Sequence, residues 1–326
     1  MTKQVKVPEK RLQESGLSEN GRADLKIVGS ITLILSSLLY GGNVVAARYL
    51  TADIPPGALA ALRGLLGLLI LLPLGQRSLR QCPRPSPRES GQFALLGFLG
   101  IAFAYLTFLW AMQHSTATNA AIIFASSPAI INALLALGWG VKPSKLRMLG
   151  ILISFAGLLA VFSQGSFTRL LTLNLSFSDL LLLANVLSCG LFTIIGQGMM
   201  IKFTPVVTSI YSLIFGTIMM LPYGIWEIFT RNIYLSGVSW LILLYMGCVV
   251  TGIAILLSFE GVNRLGSGKA AVFGNLTPIF SILLAYIFLG EHLALYHWIG
   301  FTFVLIGISL SIWPEQNRFF TPAKKG

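Results

Sequence analysis

Arg63 is the one strongly basic residue set well within a long apolar run, PPGALAALRGLLG. A guanidinium in that setting can attract a carboxylate-bearing ligand, or it can hydrogen-bond carbonyls at a helix end. Placing such a charge in lipid costs about 2.5–3.5 kcal/mol on insertion scales, so it is expected to face a cavity or a partner. Asn43, in the preceding apolar run, is the polar side chain expected to reach it. A second set of residues surrounds two prolines. Pro128 and Pro278 each fall near the middle of an apolar run and remove a backbone donor there. The carbonyls of Phe124 and Gly274, four residues earlier, lose their partners. Ser126, Ser127, Asn275 and Thr277 flank these kinks and can hydrogen-bond either a substrate or the freed backbone. The third set closes rather than binds. Glu260, with Arg264 and Lys269 close by, is expected to shut one side through an ion pair, and Trp110 to pack at the opposite mouth. An ordinary interfacial charge and an interfacial aromatic are the simpler readings of Glu260 and Trp110.

Other chemistry finds little support. His114, His292 and His297 are scattered, and no metal site is expected. Cys82, Cys189 and Cys248 are far apart and form no CxxC, which points to small buried side chains rather than a disulfide framework. No GxxxxGK[ST] phosphate loop occurs, so nucleotide-driven work by this chain alone is not expected, and no cofactor is implied. Asn119, Asn132, Asn185 and Gln197 are further polar residues within apolar runs, where interhelical hydrogen bonds of roughly 0.6 kcal/mol each account for them. Glu227, Glu260 and Glu291 all fall at the ends of runs, which leaves energy coupling open.

The elements that must hold these residues are membrane helices. The 326 residues are 55% hydrophobic and only 10% charged, with a mean hydropathy of +0.79. Soluble domains carry about 25% charged residues. Ten apolar runs are long enough to span, at roughly 27–47, 56–74, 92–112, 117–138, 146–163, 179–201, 206–229, 239–259, 268–289 and 294–313. They lack the alternation of barrel strands. Of the 23 Lys and Arg residues, nineteen fall on one side of this threading, three on the other, and Arg63 within a span. That bias predicts both termini in the cytoplasm, and it explains the net charge of +12 without a nucleic-acid partner.

The chain also aligns with itself. Gly97, Ala104, Leu106, Ala120, Ala121, Pro128, Leu134, Gly140, Gly150 and Gly157 recur 150 positions later as Gly247, Ala254, Leu256, Ala270, Ala271, Pro278, Leu284, Gly290, Gly300 and Gly307. An offset of five helices turns the second unit over in the membrane, which is the inverted repeat common among secondary transporters. The expected fold is therefore all-α and integral to the membrane, with ten transmembrane helices as two inverted five-helix repeats. Its expected parts are a disordered cytoplasmic tail at 1–25, repeat one at 26–163, repeat two at 178–314, and a second cytoplasmic tail at 315–326.

At the level of motif, the first half carries YGGNVVAARYL and TFLWAMQHSTATNAAIIFASSPAIINALLA. The second half carries FEGVNRLGSGKAAVFGNLTPIFSILLAYIFLGEHL and WIGFTFVLIGISL. With its hydrophobic–Leu-Gly-Glu ending at Glu291 and its glycine-rich last helix, this resembles the EamA branch of the drug/metabolite transporter superfamily over residues 27–313. Two positions depart from the pattern: Val141 stands where the second repeat has Glu291, and Tyr40 where the family often has Trp. The resemblance implies export of small metabolites such as amino acids or drug-like compounds.

The expectation is thus a secondary transporter of a bacterial-type inner membrane, working by alternating access on a small-molecule substrate. Membrane lipid is its other partner, and a homo-oligomer is left open. A lipid-processing membrane enzyme would need convergent acid–base or metal groups, which are absent from the pattern. A channel or scaffold is separated by flux: a carrier saturates and shows counterflow.

Overall fold

The computed structural model describes residues 19–127, 130, 134, 145–162, 176–231, 233, 235–265, 273–274, 276–291 and 294–312. Pro128, Asn132, Lys269 and Asn275 lie outside them. All regular structure among the described residues is helical. We number the segments α1 (Glu19–Leu50), α2 (Pro56–Gln81), α3 (Pro87–His114), α4 (Ala117–Ala125), α5 (Lys145–Phe162), α6 (Phe177–Met199), α7 (Pro205–Thr230), α8 (Gly237–Leu265), α9 (Leu276–Leu289) and α10 (Leu295–Ile312). The first of these reaches back to Glu19, into the stretch that sequence alone reads as tail.

Six of them, α1 from Ile27 together with α2, α3, α6, α7 and α8, are long and apolar enough to cross a bilayer. Their surroundings fit lipid better than water. Phe229 is 85% exposed, Phe177 72%, Leu241 68% and Leu69 65%. A folded chain that displays so much apolar side chain needs an apolar solvent.

Local sequence sets the helix starts. Ser86 caps α3 in a reciprocal box with Glu89, and Ser176 does the same for α6 with Asp179. Thr204 accepts from Val207 N ahead of Pro205, which is pre-set for the first helical position. Proline also opens α2, but the residue before it is Pro55, which has no side-chain acceptor to offer.

The packing follows a two-fold exchange. Each of α2, α4 and α5 packs against its own counterpart, α7, α9 and α10. Likewise α1 packs on α8 while α6 packs on α3, and α2 packs on α8 while α7 packs on α3. These are the contacts two related halves make about a shared axis. Small residues allow the approach. A Cβ at Gly97 of α3 would stand 2.6 Å from Gly216 N and 2.7 Å from Ser212 O of α7.

Both third helices of the repeats, α3 and α8, change register midway. Phe98–Phe103 and Tyr245–Ala254 are π-helical, with each turn widened by one residue. The two segments overlap at the 150-residue offset. π-Segments inside α-helices are rare and occur mostly at functional sites. These two lie on the seam between the halves.

Two ends can be distinguished. The distal end carries residues 51–55, 115–116, 290–291 and 294. The proximal end carries residues 82–86 and 200–204, where Lys202 Nζ meets Glu89 Oε1 at 2.5 Å.

Candidate functional site

Arg63 lies on the α2–α8 seam and is 2% exposed. Its Nε donates to Thr251 Oγ1 at 3.1 Å. Its guanidinium carbon stands 4.0 Å from the centre of the Tyr105 ring. Thr251 sits in the π-segment of α8, and its hydroxyl donates to Met246 O, five residues back, at 2.8 Å. That bond fixes the rotor, so an oxygen lone pair faces Arg63. Tyr105 OH reaches the same oxygen at 3.5 Å, the outer limit of a hydrogen bond. Tyr40 and Tyr245 also lie within electrostatic range of the guanidinium. Among the described residues Arg63 is therefore held by hydroxyls and a π-face, with no carboxylate on it.

Asn43 does not fill the gap. The sequence suggested it could reach Arg63, but Asn43 Oδ1 is buried without a hydrogen-bond partner among the described residues. Arg63 Nη1 is in the same condition. Buried polar atoms are nearly always paired. Here one unpaired donor and one unpaired acceptor belong to two of the residues singled out as pathway candidates. The hydroxyls of Thr208, Ser212 and Thr217 on α7 are also unpaired.

The proline sites behave differently. Helix α4 stops at Ala125, and Ser126 Oγ and Ser127 Oγ donate to Ile123 O and Phe124 O, each at 2.6 Å. Phe124 is the residue whose carbonyl Pro128 leaves free, so both hydroxyl protons are engaged within their own segment. Pro278 is buried in α9, and the residues at 273–274 ahead of it are helical as well. Thr277 precedes it and is half-buried. The nearby carbonyl of Phe273 is taken by Ser37 Oγ of α1 at 2.9 Å.

Of the closing residues, Glu260 and Arg264 do pair, Oε1 to Nη2 at 2.7 Å. They lie one turn apart on α8, so the pair joins no second helix. With side chains 39% and 28% exposed it is a surface contact of little energetic weight. Lys269, the third member of the expected gate, lies outside the described residues. Trp110 packs edge-on against Tyr223 of α7, ring centres 6.0 Å apart, at the distal end.

Sequence reasoning missed the residues that close that end. Glu227 is 1% exposed near the end of α7, and its Oε2 accepts from Gly57 N at 2.7 Å and Ala58 N at 3.0 Å, the first turn of α2. Tyr223 OH donates to Oε1 at 2.7 Å. Glu291 does the same for α4. Its two oxygens accept from Ala117 N and Thr118 N, both at 2.9 Å, and from Thr118 Oγ1 at 2.6 Å. Gly290, at φ +64°, ends α9 and turns the chain to deliver that carboxylate, which gives the Leu-Gly-Glu motif a physical reason. Asn119 joins the cluster, its Oδ1 3.0 Å from His297 Nε2. The missing signal was Pro55: a helix start with no acceptor of its own needs one from elsewhere.

No group of three or more metal-ligating side chains occurs among the described residues.

The model of the EamA-like transporter family matches residues 27–163 and 176–313, the two halves described above. A Bacillus subtilis protein named uncharacterized transporter YetK is 24% identical, over 90% of this chain and 89% of its own. An uncharacterized transporter of Archaeoglobus fulgidus is 26% identical over 86% of this chain and 96% of its own. The uncharacterized inner membrane transporter YicL of Salmonella typhimurium is 24% identical over 89% and 97%. A crystal structure at 18% identity superposes with a TM-score of 0.61, covering 88% of this chain and 96% of that one, which shows a shared fold.

Proposed function

The chain belongs to the EamA-like transporter family, and on that premise we propose that it is a secondary carrier exporting a small polar metabolite by alternating access. In this reading all ten helices span an inner membrane, as the name of the Salmonella relative suggests for that protein. Both termini and the proximal end face the cytoplasm, where the Lys and Arg excess lies.

One observation carries the reading: Arg63 is buried on the seam between the halves with Nη1 unpaired. A buried guanidinium with spare donors favours a ligand that brings an acceptor, such as a carboxylate. The unpaired Asn43 Oδ1 offers an acceptor for a donor on the same ligand. Amino acids and drug-like compounds with an acidic group fit these demands. The seam between inverted repeats is also where secondary transporters hold substrate. Arg63 would then bind and orient the ligand, while the aromatic rings of Tyr105 and Tyr245 flank it. No catalytic group is invoked, and no cofactor is needed.

The test is flux of a metabolite panel in proteoliposomes of the purified chain. Saturable transport with counterflow is expected for at least one carboxylate-bearing compound, together with thermal stabilisation by it. Conduction without saturation would make the protein a channel. No flux across a broad panel would remove the carrier reading.

A further inference from the structure

Every described contact that buries a carboxylate between the two halves lies at the distal end. Glu227, from repeat two, closes the first turn of α2 in repeat one. Glu291, also from repeat two, closes the first turn of α4 in repeat one. A third acid, Asp53 of repeat one, accepts from Ser239 Oγ in the first turn of α8 at 2.7 Å. The two glutamates satisfy backbone N–H groups that a helix start leaves open, whereas Asp53 meets a side-chain hydroxyl. A carboxylate on helix-start N–H groups is also favoured by the helix dipole.

The proximal end is built otherwise. There α3 and α7 are capped by their own Ser86 and Thr204, as α4 and α8 are at the distal end by Thr116 and Ser236, but among the described residues no carboxylate crosses from the other half onto the starts of α3 and α7. The charge contact that does join the halves, Lys202 to Glu89, is open to solvent, with side chains 52% and 18% exposed. The comparison between α2 and α7 is direct, because Pro56, Gly67, Pro73 and Gly75 match Pro205, Gly216, Pro222 and Gly224 at an offset of 149. In that register Glu227 corresponds to Ser78, and the acceptor-less Pro55 corresponds to Thr204. One helix carries its own cap, whereas its counterpart borrows a carboxylate from the other half.

From this asymmetry we infer that Glu227 and Glu291 are paired latches that hold the distal end shut and must let go of α2 and α4 for that end to open. Backbone N–H groups cannot lower their demand for an acceptor. Separation of the halves at this end therefore strips at least two donors from each helix start until water replaces the carboxylate. Tyr223 and Trp110 form the lid over the first latch: Tyr223 OH holds Glu227 Oε1, and Trp110 packs on the Tyr223 ring. The inference rests on the carrier reading for its purpose: a carrier whose distal end is latched at rest loads from the proximal side, the direction of export.

Distances test this without a substrate. In full-length chain lacking its three native cysteines, spin labels at Ala52→Cys and Arg231→Cys, both exposed, report the α2–α7 separation at the distal end. Labels at His114→Cys, three residues before the start of α4, and at Phe288→Cys near the end of α9 report the separation at the second latch. The parent should show one short distance for each pair. Glu227→Ala should populate a longer distance for the first pair, and Glu291→Ala for the second. The expected gain in the open-to-closed ratio is about ten-fold or more, the size of one lost charged interaction. Tyr223→Phe and Thr118→Val each remove one bond to a carboxylate and leave the acid in place. They should shift the same distances in the same direction by less, and they serve if the alanine variants do not fold. Unchanged distributions in Tyr223→Phe, Thr118→Val and whichever acid variants fold would overturn the latches. Saturable flux alongside unchanged distances would reject the latches and keep the carrier. Shifted distances with no flux on any compound would do the reverse.

Discussion

Thr251 Oγ1 accepts the Nε–H of Arg63 at 3.1 Å while giving its own proton to Met246 O, five residues back along a widened helical turn. In a regular α-helix a threonine hydroxyl returns to the carbonyl three or four residues earlier. The π-register of α8 moves that bond by one residue, and the hydrogen bond that Thr251 makes to the buried Arg63 depends on it. Replacing Thr251 by Val should leave Nε without an acceptor and cost about 1–3 kcal/mol of stability, the usual penalty for stranding a buried donor. Thermal unfolding in detergent would register it, and Thr251→Ser should recover most of the loss because the hydroxyl returns.

Arg63 itself separates recognition from structure. If its free Nη1 meets the substrate, Arg63→Ala should raise the KM for a carboxylate-bearing compound about ten-fold, equivalent to about 1.4 kcal/mol. Arg63→Lys should not restore it, because a lysine keeps the charge but loses the planar fork and the face that packs on Tyr105. Unchanged kinetics at normal membrane abundance would make Arg63 a structural residue.

Glycines of the same helix should respond in opposite ways. A Cβ at Gly97 would stand against backbone atoms of Gly216 and Ser212, which cannot rotate away. Gly97→Ala should therefore force α3 from α7 and cost about 1–3 kcal/mol. Gly91, earlier in α3, has nothing within 4 Å of such a Cβ. Gly91→Ala should raise stability by about 0.5–1 kcal/mol through helix propensity alone. Melting curves of the two variants side by side check both signs.

The π-segment of α3 is held from α6. Ser188 Oγ donates to Leu99 O at 2.8 Å, and Asn185 Nδ2 to Ala104 O at 2.6 Å. Ser188→Ala and Asn185→Leu should each cost roughly 0.6 kcal/mol, and up to about 1.7, the range for polar contacts between membrane helices. Because both bonds hold one segment, the double variant should depart from additivity in a double-mutant cycle. Strict additivity would mean that the segment keeps its register without α6.

Threading is checked by single cysteines at Pro85 and Leu235 in a chain lacking the native three. A membrane-impermeant thiol reagent applied to intact cells should label position 235 and spare position 85. Equal labelling of both would reject the inverted arrangement.

Much of this was legible in the chain itself. The helical character, the apolar runs and the repeat follow from composition and spacing, because a bilayer imposes one solution, a continuous apolar helix, that can be read one segment at a time. Arg63 was legible for the same reason: a charge in such a run is conspicuous. The Leu-Gly-Glu motif was visible as a pattern, but its purpose was not. Only the tertiary structure decided who meets whom. It gave Arg63 to Thr251 and Tyr105 rather than to Asn43, placed the Glu260–Arg264 pair within one helix, and sent Glu227 and Glu291 across to the starts of α2 and α4. Those backbone partners lie 169 or more positions apart for both acids. No local period records such a distance, since side-chain pairing between helices depends on how they rotate and slide against one another, which packing of the whole bundle sets.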